Sequence, residues 1–141
     1  MRRTALSWGV ILLIISLALV SYAKMEKIAI SKDNLADLKG NWIGSRMVGP
    51  GTRLNTDFEI SNDSLPIQGK FIFYDVKRSG KASTTQIIDF KNGKINDEGN
   101  LLILGSNIEV DLSLYKDDGK MKLEGNYFWM GVKGTLLFKK K

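Results

Sequence analysis

Beyond Gly40 the apolar residues of this 141-residue chain recur at every second position, and that period restricts it to β structure. Ile108, Val110, Leu112 and Leu114 alternate with Glu109, Asp111 and Ser113. Thr56, Phe58 and Ile60 alternate with Asp57, Glu59 and Ser61. The same spacing runs through Met121, Leu123, Gly125, Tyr127 and Trp129, and through Val132, Gly134, Leu136 and Phe138. Successive side chains of a strand point to opposite faces, so each run describes a strand with one buried face and one wet face. Between the runs stand Gly49-Pro50-Gly51, Arg78-Ser79-Gly80, Asn92-Gly93, Asp97-Glu98-Gly99, Gly105-Ser106 and Asp117-Asp118-Gly119. Gly adopts positive φ freely and Asn and Asp tolerate it, so these read as tight hairpin turns. The predicted strands are 41–48, 54–61, 67–76, 83–91, 93–96, 100–104, 107–115, 120–129 and 132–139, with 93–96 and 100–104 open to being one bent strand. No helical pattern is long enough to carry a parallel crossover.

The fold class is therefore all-β, an antiparallel up-and-down meander. One-sided strands in that number must hide their apolar face, and closing the meander on itself does so while removing exposed edges. An eight-stranded barrel is the first reading and a two-sheet sandwich the alternative. Residues 24–39 form a lead-in, with Ser31 or Asp33 capping a short helical turn through Leu35 and Leu38 that stops at Gly40. The barrel domain is assigned to 40–141.

Before the lead-in, Arg2 and Arg3 precede the apolar run Trp8–Val20, and Ser21-Tyr22-Ala23 supplies the small residues of a cleavage site. Residues 1–23 read as a cleavable signal peptide cut between Ala23 and Lys24, which predicts a secreted protein, periplasmic or extracellular, without a stable membrane anchor after cleavage. An uncleaved span over Thr4–Ala23 is the rival. The formal charge of +6 is concentrated at the two ends, in Arg2, Arg3 and Lys139–Lys141. The central sequence is close to neutral and shows no basic face interleaved with aromatic residues, so no nucleic-acid partner is expected.

Cysteine and histidine are both absent. That removes thiol nucleophiles, Cys/His zinc sites and the histidine general base of the common hydrolytic triads. The acidic pairs Asp97-Glu98 and Asp117-Asp118 fall in turns, without the fixed separation of a glycosidase pair or the ligand spacing of a calcium loop. The expectation is a non-enzyme with no catalytic residues, no metal site and no cofactor. Asn62-Asp63-Ser64 has the form of a glycosylation sequon.

Leu38-Lys39-Gly40-Asn41-Trp42, followed by Gly44, resembles the start of the calycin barrels, the group of lipocalins, fatty-acid-binding proteins and avidins. The resemblance implies a barrel closed at one end by Trp42, with a basic residue late in the chain packed across it, for which Lys133 and Lys139 are the candidates. The sequence departs from lipocalins in showing no helix after Phe138 and in the short loop at Gly49-Pro50-Gly51. It departs from avidins in having only Trp42 and Trp129 beyond the leader, so a biotin site is not implied.

The inward parity set by Trp42 also carries Gly44, Arg46 and Val48. Arg46 is the sharpest ligand-binding candidate, because a guanidinium inside a barrel can grip a carboxylate or phosphate in a bidentate pair. Its alternative is a position at the rim, snorkelling into water. Phe71 and Phe73 share a face with Asp75, and Ile88 and Phe90 with Gln86 and Thr84. Phe71, Phe73, Tyr127, Trp129 and Met121 either line a cavity for an apolar ligand or fill a small barrel. Phe128, Leu137 and Tyr74 point outward, to be covered by the 25–38 segment or to form a partner patch. The functional expectation is a small secreted barrel binding an apolar or amphiphilic molecule; the alternative is an envelope interaction or inhibitor protein working through its outer surface and loops.

Overall fold

The computed structural model describes residues 25–74, 85–105 and 107–141. Nine strands follow in chain order: β1 (Met25–Ile28), β2 (Gly40–Val48), β3 (Thr52–Ile60), β4 (Ile67–Tyr74), β5 (Thr85–Ile95), β6 (Leu101–Leu104), β7 (Ile108–Asp117), β8 (Lys120–Trp129) and β9 (Val132–Lys140). A 3-10 helix, Lys32–Asp37, lies between β1 and β2. All pairings are antiparallel. Strands β2 to β9 pair in sequence and β9 returns to β2, closing an eight-stranded barrel. The expected signal peptide at 1–23, the expected turn at Arg78-Ser79-Gly80, and Asp75 and Thr84 lie outside the described residues.

Two-residue hairpins close the last strands. Asp118 and Gly119 have φ of 50° and 79°, and Met130 and Gly131 have 50° and 80°. Positive φ at both central residues matches the right-handed twist of the flanking strands. Inside the strands, glycine serves a different purpose. A Cβ on Gly125 would lie 1.7 Å from the Asp111 carbonyl oxygen, and one on Gly44 would lie 1.8 Å from that of Leu137. At these positions the neighbouring backbone passes too close for any side chain.

Three expectations change. Asn92-Gly93 is not a turn: both residues lie within β5, which runs unbroken to Ile95. The β4–β5 register shifts between Ile67 and Gly69, and a Cβ on Gly93 would lie 2.8 Å from that of Ile67. Gly93 thus serves a close approach beside a bulge. The pieces 93–96 and 100–104 are not one bent strand. The Asn96 side chain accepts from the backbone N–H groups of Glu98 and Asn100, fixing a turn between them. Finally, the lead-in contains a strand. β1 pairs with β7 at 114–117, on the edge where short β6 pairs at 109–112, so it extends the wall that β6 leaves incomplete.

The helical turn plugs one end of the barrel. The Ser31 side chain accepts from the Asp33 N–H, and that of Asn34 accepts from the Ser31 N–H at 2.8 Å, a reciprocal cap. Leu35 and Leu38 are buried beside Trp42, whose indole N–H donates to the Leu38 carbonyl at 2.8 Å.

Candidate functional site

The inward parity of β2 places Arg46 inside the barrel at the end opposite the plug, and β4 and β8 deliver Phe73, Tyr127 and Trp129 to the same level. Arg46 is only 4% exposed, so it does not snorkel at the rim. Its guanidinium carbon stands 4.5 Å from the Phe73 ring centre and 5.6 Å from that of Trp129, both within cation–π range. Phe73 and Trp129 meet edge to face at 5.0 Å, and Phe73 lies tilted against Tyr127 at 6.2 Å. The Tyr127 hydroxyl donates to the Met47 carbonyl at 3.0 Å. Its ring crosses Gly134, where any side chain would strike it. Four of the five expected ligand-binding residues thus form one cluster.

Phe71 belongs to a deeper layer. It stacks on Phe58 at 4.4 Å and 7°, and Phe58 meets Phe138 at 5.3 Å. Phe71 reaches Phe73 at 6.0 Å, so ring contacts run along the axis from Phe138 to Trp129. Phe71 and Phe73 are fully buried. Along this line the aromatic residues pack on one another as a core.

At the plugged end a basic residue does lie over Trp42, and it is Lys140 rather than Lys133 or Lys139. The Lys140 ammonium stands 5.7 Å from the indole centre and donates to the Asp37 carbonyl. Lys140 is paired directly with Trp42, whereas Lys139 pairs with Ile43 on the outer face. Lys133 is remote from Trp42 and sits 6.0 Å from the Phe128 ring.

Searches of protein-family models, curated proteins and solved structures return no match to this chain. Asp117 is bound to Lys122 at 2.6 Å, and Asp118 occupies a hairpin turn. Among the described residues no three of His, Cys, Asp and Glu gather closely enough to hold a metal. Asn62 is engaged at both ends of its amide. It donates to the carbonyls of Ser64 and Pro66 at 3.1 and 3.0 Å and accepts from the Gln68 N–H at 2.8 Å. Those bonds hold the loop between β3 and β4 and occupy the nitrogen that glycosylation would need.

The outer face departs from expectation in another way. The 25–38 segment lies along β7 and over the Trp42 end, and it does not cover Phe128 or Tyr74, which are 38% and 37% exposed. Tyr74 donates a hydrogen bond to Asp57 at 3.0 Å, and this bond raises its phenol pKa above the ordinary value of 10.0. Around the end away from the plug, Leu104, Phe128, Met130 and Val132 are all exposed, Met130 by 70%. A cleft of about 560 Å³ runs beside them over β6 to β9, lined by Leu104, Glu109, Phe128 and Lys133 among others. The alternation singles out Phe128, but the set is assembled only by cross-strand register.

Proposed function

We propose that the chain is an exported binding module with a calycin-like barrel, acting through its outer surface around the end opposite Trp42. The observation that carries this reading is the contrast between the two faces. Aromatic rings and Arg46 are buried against one another inside, while Leu104, Phe128, Met130 and Val132 stand in water outside. Exposed apolar side chains gathered in one region mark interaction sites, whereas isolated ones do not. The calycin-like assignment draws support from Trp42 at a plugged end with Lys140 over its ring. Export draws support from the sequence alone, in Arg2 and Arg3, the apolar run Trp8–Val20 and the small residues before Lys24.

A second reading has its own observation. Arg46 lies against both Phe73 and Trp129, surroundings that suit an amphiphile with an anionic head group. A ligand there must displace packed rings, which places this reading behind the first.

A photo-crosslinking amino acid separates surface from interior. Placed at Phe128 in the exported protein in its host, it should give a stoichiometric protein crosslink. Placed at Ile43, which is similarly exposed on another part of the wall, it should give none. Equal yields from both positions, or none from Phe128, would overturn the outer-surface reading.

A further inference from the structure

The exposed face carries its own complement. Leu104 on β6 pairs with Glu109 on β7, Glu109 with Phe128 on β8, and Phe128 with Lys133 on β9. All four side chains are exposed, and their sequence neighbours Ile103, Val110, Tyr127 and Gly134 form the inner row. The outer row therefore reads acid, aromatic, base across three adjacent strands. Strands lie about 4.8 Å apart, which puts Glu109 and Lys133 about 10 Å apart on opposite sides of Phe128. Among the described residues neither makes a salt bridge, and Lys133 rests over the Phe128 ring at 6.0 Å.

We infer that this face pairs with a second copy of the same chain, sheet against sheet, about a two-fold axis parallel to β8 that passes outside the wall over Phe128. Rotation about that axis exchanges the two flanks of the row. Phe128 then meets the partner's Phe128, Glu109 meets the partner's Lys133, and Lys133 meets the partner's Glu109. Met130 lies along the axis direction and meets the partner's Met130. Such an isologous contact needs a patch that is self-complementary under its own two-fold, and a row ordered acid, aromatic, base meets that condition. A row with two like charges would not. The inference rests on the outer-surface reading and names its partner.

The test is a charge swap read by sedimentation of the exported protein. The parent chain should dimerise in the micromolar range. Glu109→Lys alone and Lys133→Glu alone each set like charges against one another twice and should weaken the dimer on the order of a hundredfold. The double variant Glu109→Lys/Lys133→Glu should return it to within about tenfold of the parent, because the rotated row is again complementary. Phe128→Ser should leave a monomer. All positions are exposed, so unchanged circular dichroism serves as the control for folding. A parent that stays monomeric, single variants that dimerise like the parent, or a double variant that is not restored would each overturn the inference. A crosslink from position 128 to a different protein, with a monomeric parent, would overturn the second copy while leaving the outer-surface reading standing. No crosslink from that position would remove both.

Discussion

Phe71→Ala distinguishes a filled barrel from a hollow one by stability alone. Phe71 is 0% exposed and its ring stacks on Phe58 at 4.4 Å, with Phe90 at 5.5 Å and Phe73 at 6.0 Å. Truncating a phenylalanine in a packed core costs about 3–5 kcal/mol, combining lost transfer energy with the cavity left behind. The stacked partner adds about 0.5–1.5 kcal/mol. A loss of about 4–5 kcal/mol is therefore expected here. A ring standing against a solvent-filled lumen buries only one side and would lose about half as much, near 2 kcal/mol. Urea unfolding of the protein, followed by tryptophan fluorescence and far-UV circular dichroism, measures the difference at constant slope. With a slope of about 2 kcal/mol/M the midpoint should fall by about 2 M. Phe128→Ala is the matched control, read at protein concentrations low enough that no dimer forms, because the same residue type on the outer face should then cost no more than about 1 kcal/mol. A Phe71→Ala loss of about 2 kcal/mol or less, or equal losses from both variants, would refute the packed interior.

Other substitutions test the parts separately. Gly125→Ala places a methyl into the Asp111 carbonyl and should cost more than about 3 kcal/mol or prevent folding, whereas Gly119→Ala, with open space and only a φ of 79° against it, should cost about 1 kcal/mol; thermal melts of the two variants check this. Asn62→Ala removes three hydrogen bonds from the β3–β4 loop and should lower stability by about 1–3 kcal/mol, read by urea unfolding. The Tyr74 phenol should ionise above pH 10, and Asp57→Asn should bring it down, read as the ultraviolet absorbance of phenolate. Because the folded-state pKa is the higher one, the contribution of this hydrogen bond to stability is complete below pH 10 and lost as pH rises through the folded value.

Much of the barrel was legible because alternation reports facing directly. It placed Arg46, Phe71, Phe73, Tyr127 and Trp129 on the inner face, where they lie. The same parity contained the residue over Trp42, since Leu136, Phe138 and Lys140 share a face and directly opposed residues of an antiparallel pair do too. Lys133 and Lys139 have the opposite parity. What local pattern could not supply was anything set by distant partners. Met25–Ile28 is four residues long and finds its mate at 114–117, so nothing local marks it as a strand. Asn92-Gly93 carries the chemistry of a hairpin turn, but the approach of Ile67 is what requires glycine there. The outer row from Leu104 to Lys133 crosses four strands, and each of its members is an ordinary exposed residue within its own segment.

Native mass spectrometry of the protein purified from its host decides between an outer wall that binds around a scaffolding interior and an interior that holds a ligand. Ions are expected at the mass of the cleaved polypeptide and of its dimer, with no small-molecule adduct. A stoichiometric adduct that disappears in Arg46→Met, with the outer-face variant Phe128→Ser retaining it, would contradict the account and make the interior the binding site.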